Sequence, residues 1–354
     1  MILISISAEK GLMDKRNWFW DFWKFIAAIG VILVHIPFQG RLGTICTCVG
    51  TWGVGYFALI SGYACCGESE KMSRKILKRL GRNGLITALF ITIYMCFSYY
   101  VFRKENMLIL WQLELKKPVT YLKMIFVGDF EFFYGSPLWY MVALLYCYVL
   151  FYFLVRFNLK KVIYVLLPIF AVLRIVVDSY VNSFNANWHW SGNVLVGMLP
   201  MVLVGYVIAD QKERLLKIPT WVLVLGSVLS ALAMFTFVCV KIGRIDISQP
   251  FKMLCASFVL ILGMKKPNWY VIKPLAFLGR EDSLYIYLCH FILMYFTSEF
   301  VYSFPKAGRY ASWQLPLAVI IVSVVFARVL SMVIRLIKFL IGKIFPKKAA
   351  VQKT

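Results

Sequence analysis

Lys24 and His35 bound the stretch KFIAAIGVILVH, in which the ten intervening residues carry no polar side chain. At about 100° per residue, the step from one to the other closes to within roughly 20°, so on a helix the lysine and the histidine share a face. About 16 Å of helix axis separates them at a rise of 1.5 Å per residue. Histidine, with an unperturbed pKa of about 6.5, is suited to take a proton from a hydroxyl near neutral pH. Lysine offers a fixed positive charge, and Asp21, three positions earlier, is placed to pair with it. Spacing alone leaves a structural reading open, in which Lys24 snorkels to an interface and His35 caps the far end.

Other groups invite the same question. Ser61 and Gly62 interrupt the apolar run YFALISGYACC, which also holds Tyr63. A serine and a glycine there serve close helix packing, or else line a pocket. The basic residues Lys71, Arg74, Lys75, Lys78, Arg79 and Arg82 follow at once. Such a run sets topology, touches anionic lipid, or binds phosphates. Arg174 and Asp178 lie four apart and can pair on one helix face. His290 falls inside LGREDSLYIYLCHF, Arg328 has no local partner in sequence, and His189 sits in the Trp- and Asn-rich NWHWSG. No Ser-His-Asp set and no Cys/His spacing suited to a metal occurs, so no metal site is expected.

Whatever positions these groups is apolar. Of 354 residues, 61% are hydrophobic and 17% aromatic, and mean hydropathy is +0.77. Soluble domains are closer to half apolar, so the composition is that of a membrane protein with interfacial aromatics. The formal charge of +23 sits in clusters between apolar runs, where it works as a topology signal and does not indicate nucleic acid. The nine cysteines lie mostly within apolar runs and read as small hydrophobes. The first dozen residues lack a small-residue cleavage site, so no cleaved signal peptide is expected, and Met13 is an alternative start.

Apolar runs long enough to cross roughly 30 Å of hydrocarbon recur about ten times, near 18–38, 44–66, 84–102, 136–155, 162–180, 193–209, 220–240, 251–264, 281–300 and 314–338. The connections rich in Lys and Arg form one alternate set: 10–16, 71–82, 156–161, 212–217, 265–280 and the C-terminal tail. By the positive-inside rule that set is cytoplasmic, with both termini. The expected fold is all-α and polytopic, one membrane domain over 1–354 with a cytoplasmic segment 1–17 and a basic tail 339–354. The longest connection, about 103–135, offers few residues for a core of its own.

In order along the chain, these residues resemble the acyltransferase-3 family of integral membrane acyltransferases. Lys24 and His35 match its basic residue and histidine ten residues apart in the first span. YFALISGY matches its aromatic-rich run ending in Ser-Gly-aromatic, and KRLGR its following basic segment. PLWYMVALLY, with Trp139, matches the opening of its fourth span, and SLYIYLCH its late Ser, Leu-Tyr and His pattern. Two features depart from it. The first-span basic residue is often arginine, and NG (Asn83, Gly84) stands where a proline is expected.

The resemblance implies transfer of an acyl group, most often acetyl, from cytoplasmic acyl-CoA (acetyl-CoA) to a hydroxyl of a surface glycan or lipid-linked sugar in a bacterial inner or plasma membrane. His35 is then the general base, with an acyl-histidine as the covalent variant. Lys24, Arg74, Lys78, Arg79 and Arg82 become donor-binding candidates, and Ser61, Tyr63, Trp139, Arg174 and His290 pocket candidates. Membrane lipids are partners, and self-association into a homo-oligomer stays open. The competing class is uptake of a small substrate such as an amino acid. The membrane part of serine racemases involved in glycopeptide resistance is similar to this family, and many spans with intramembrane charges suit a transporter too. Against it, no inverted repeat or matched pair of broken helices is evident.

Overall fold

The computed structural model describes residues 16–130, 132–135, 137–187, 190, 192–239, 247–303 and 311–344. Among these the chain is helical, in the order α1 (Trp18–His35), α2 (Gly40–Tyr63), α3 (Ser69–Lys104), α4 (Leu108–Leu115), α5 (Pro118–Leu122), α6 (Leu138–Arg156), α7 (Lys160–Phe184), α8 (Leu199–Asp210), α9 (Lys212–Leu215), α10 (Thr220–Cys239), α11 (Ser248–Lys265), α12 (Lys273–Glu281), α13 (Ser283–Tyr302) and α14 (Ala311–Ile344). Single π-turns at Lys123–Val127 and Val194–Met198 lead out of α5 and into α8. Among the described residues, eight helices are long and apolar enough to span a bilayer. The shorter Val194–Asp210 and α11, which carries Lys252 and ends on Lys265, fall on the two remaining expected spans.

The sequence explains the main boundaries. Asn17 caps α1, its side chain accepting from the Trp20 amide, and α1 stops where Pro37 forces Ile36 out of helical geometry (φ −137°). The basic stretch 71–82 is no loop. It forms the first turns of the 36-residue α3, which at about 1.5 Å per residue is far longer than the hydrocarbon and extends past it. The last helix likewise continues to Ile344, into the part expected to be tail.

Two segments differ from expectation. The 103–135 connection builds a small aromatic core. Trp111 is buried and its indole N–H donates to the Phe132 carbonyl at 2.6 Å, while Phe130, Phe132 and Phe133 are buried beside it. At the start of the ninth span the chain breaks: the span itself is the continuous α13, and α12 ends at Glu281 just before it, with Asp282 between the two. Asp282 is fully buried, and Arg328 of α14 meets it at 3.3 Å. Arg335 pairs with Glu281 at 2.8 Å. The neighbouring helix thus supplies the counter-ions that these carboxylates at the head of the span require.

Around the site, α1 packs on α2, α12 and α13, α2 on α8, and α3 on α6. The α2–α8 contact is backbone against backbone, since a Cβ at Gly62 would overlap the Val202 carbonyl. Gly62→Ala is therefore expected to cost about 1–3 kcal/mol by overpacking. It should lower the midpoint of thermal unfolding in detergent, and an unchanged midpoint would contradict this contact.

Candidate active site

The site starts from how α1 is held. Asn17 donates to the Gly263 carbonyl at 2.7 Å and the Trp20 indole to the Leu260 carbonyl at 2.9 Å, which fixes the start of α1 to the end of α11. Asp21 is buried. Arg16 donates to its Oδ2 through Nε and Nη2, both at 2.8 Å, and Lys24 to its Oδ1 at 3.2 Å. The expected Asp21–Lys24 pair thus exists, with Arg16 as a third member.

At the other end of α1, the exposed His35 ring meets α13. Its centroid lies 4.3 Å from that of Phe291 and 5.3 Å from that of His290, the two imidazoles inclined at 28°. His290 is 1% exposed. Its Nδ1 lies 2.6 Å from the Tyr287 carbonyl. A carbonyl can only accept, so Nδ1 carries the proton and Nε2 presents a lone pair. That Nε2 is buried and has no hydrogen-bond partner among the described residues. Ile286, one turn before His290, packs with Ala28 and Ile32 of α1, which sets the register of the two helices.

At the basic face, α3 carries the half-buried Arg79 and the exposed Arg82. Arg79 donates to the Ala64 carbonyl just past the end of α2. Both guanidinium groups act on the buried Tyr148 phenol of α6. The phenols of Tyr148 and Tyr140 converge on the Ser61 hydroxyl, which itself donates to the Phe57 carbonyl at 2.9 Å. The Tyr140 ring lies 5.3 Å from that of Tyr287, and Tyr287 lies 5.9 Å from His290. Polar side chains therefore succeed one another from Arg79 and Arg82, through Tyr148, Ser61, Tyr140 and Tyr287, to the histidine pair.

Of the residues expected from sequence, the structure gathers Arg79, Arg82, Ser61, His290 and His35 along this track. Lys24 stands at its own end of α1, engaged with Asp21. The others lie elsewhere. Arg74 is exposed and paired with Glu70 at 2.6 Å, and Lys78 is exposed. Tyr63 packs edge-on against Trp20 at 4.8 Å. Trp139, in the first turn of α6, is the exception: it packs edge-on against Tyr140 of the track at 6.1 Å, and it also lies beside Tyr146 and Asn193. Arg174 is buried at 3.7 Å from Asp178 and donates to the Gly197 carbonyl, while Gln249 donates to Asp178. These bonds join α7 to the turn before α8 and to α11. His189 lies outside the described residues.

Sequence reasoning missed Tyr140, Tyr148, Tyr287 and Phe291. The available signal was tyrosine deep in apolar runs, since a buried phenol requires a partner. Among the described residues, His, Cys, Asp and Glu form no group of three or more able to hold a metal ion.

A helical, polytopic membrane protein with a basic segment at one face and a histidine pair toward the other is the class that this geometry defines. Residues 17–336 match the model of the acyltransferase-3 family, an acyltransferase domain. The chain belongs to that family and is a membrane acyltransferase. No curated protein and no solved structure matches it.

The placement of Arg174 separates structure from chemistry. Arg174→Gln leaves Asp178 short of its buried counter-ion and is expected to cost about 3 kcal/mol of stability. Turnover per folded molecule should be unchanged in an acyl-transfer assay normalised to folded protein. Loss of turnover at full stability would place Arg174 in the reaction instead.

Proposed function

We propose that the protein transfers an acyl group, acetyl above all, from acyl-CoA to a hydroxyl of a surface glycan or lipid-linked sugar in a bacterial inner membrane. The observation that carries this reading is the polar track from Arg79 and Arg82 to His35. The basic face is taken as cytoplasmic, because it holds the connections rich in Lys and Arg. A donor with several phosphates and a long thioester arm suits such a track, the phosphates at one end and the reacting carbonyl at the other.

In this reading Arg79 and Arg82 hold the CoA phosphates, with the fork geometry that favours arginine for the purpose. Arg74 and Lys78, exposed on the same helix, add positive potential that draws the donor in. Lys24 fixes α1 through Asp21 and adds charge at the donor end. Ser61, Tyr140 and Tyr148 supply hydroxyls along the thioester arm.

At the far end, a nitrogen of His35 takes the proton from the acceptor hydroxyl as its oxygen bonds to the thioester carbonyl carbon. The tetrahedral intermediate then collapses, the C–S bond breaks, and the CoA thiolate recovers the proton from the His35 imidazolium. His290, locked in one tautomer by the Tyr287 carbonyl, is a positioning residue. It stacks on His35 and keeps the ring pointed at the acceptor.

The test uses labelled acyl-CoA and membranes that carry the protein and its glycan acceptor. His35→Ala that inserts and folds normally is expected to lose at least about 100-fold in rate, the scale of general base catalysis. Normal transfer by that variant would sink the mechanism. His290→Asn should lower kcat with little change in the KM for acyl-CoA, whereas an effect confined to KM would place His290 in donor binding.

A further inference from the structure

A cavity of about 500 Å³ opens beside α1, walled by α1, α2, α10 and α11 and closed at the basic face by Trp269 and Tyr270. Its volume falls within the roughly 300–1,000 Å³ of small-molecule sites. On α1 it is lined by Phe19, Phe22 and Trp23. These lie between about 100° and 200° around the helix from Lys24, so the cleft takes the side turned away from the Lys24–His35 face. It therefore stands apart from the track to the histidine pair.

Almost everything facing the cleft is hydrocarbon or aromatic ring. The Ser227 hydroxyl in its wall already donates to the Leu223 carbonyl at 2.8 Å. A peptide would bury backbone N–H groups there without acceptors, at a cost that hydrocarbon does not incur. The cleft opens sideways at Val228, 48% exposed, toward the region where lipid lies. From Val224, near the start of α10, its lining reaches Phe235, about 16 Å of helix and close to one leaflet of hydrocarbon.

The mouth carries the opposite chemistry. Lys265 donates to the carbonyls of Leu216 and Ile218, which draws the turn containing Lys217 against the end of α11. Lys217 and Lys266 are both exposed there. Tyr270 is 88% exposed and has a φ of +42°, a left-handed geometry that bulky residues rarely adopt. The indole N–H of Trp23, about one and a half turns into α1, is buried with no acceptor among the described residues.

We propose that this cleft is a specific site for an anionic phospholipid of the leaflet on the basic face. Its acyl chain fills the cavity, and its phosphate sits at Lys217 and Lys266. Charge at the mouth selects an anionic headgroup over a zwitterionic one. The site is independent of the acyl-transfer reading.

The test is native mass spectrometry of the full-length protein, released from nanodiscs made with equal parts phosphatidylglycerol and phosphatidylcholine of matched chains. Phosphatidylglycerol should be retained in preference. Lys217→Gln and Lys266→Gln, both at the surface, should each reduce that preference about fivefold. Ala231→Trp, which fills the cavity, should abolish retention of both lipids. Equal retention of the two lipids by the parent overturns the proposal, as does an unchanged preference in the double lysine variant. Parent-like retention by a folded Ala231→Trp protein overturns it as well. Should Ala231→Trp not fold, the lysine variants decide.

Discussion

Hydrocarbon tolerates a carboxylate only when cations stand against it, and the helix that carries His35 begins with such a group. Asp21 is buried and holds both Arg16 and Lys24. Its own backbone is pressed against α12, where a Cβ at Gly279 would overlap the Asp21 carbonyl. That packing fixes the depth and rotation of α1. With α1 placed, Ala28 and Ile32 meet Ile286 of α13, and the same register brings His35 onto His290 and Phe291. The histidine pair at one end of α1 is thus set by an ion cluster at the other.

The same constraint organises the remaining charges. Asp282 and Glu281 stand at the head of α13 and are answered by Arg328 and Arg335. Arg174 and Asp178 are joined by Gly197 and Gln249. Each cluster joins separate helices, so each acts as a pin in a bundle whose helices gain little from apolar contact alone. Arg79 and Arg82 are different. They lie at the rim of the bundle, near phenols and a carbonyl, with no carboxylate paired to them among the described residues. Their positive charge is left unanswered among the described residues.

Much of this was legible in the residues. The spans follow from apolar runs, because their length is imposed by the bilayer. The Asp21–Lys24 and Arg174–Asp178 pairs follow from helical spacing, since three and four positions are neighbours on a helix. The common face of Lys24 and His35 follows in the same way. What was not legible depends on contacts between helices. Arg328 finds Asp282 46 positions away, and no periodicity encodes that. Tyr140, Tyr148 and Tyr287 look like apolar filling until Ser61 and His290 are set beside them. The 103–135 connection hides its core because its aromatic residues close on one another only after Trp111 reaches Phe132. Equally, Tyr63 belongs to a motif that suggested a pocket, yet it packs against Trp20 outside the track.

In the proposed reading, a donor at one membrane face and an acceptor toward the other make the reaction sided. The most direct measurement compares sealed vesicles of opposite orientation, each supplied with labelled acyl-CoA on the outside only. Transfer of label to the glycan is expected in inside-out vesicles, where the donor meets Arg79 and Arg82, and not in right-side-out ones. Equal transfer in both orientations would contradict the account, as would transfer confined to right-side-out vesicles.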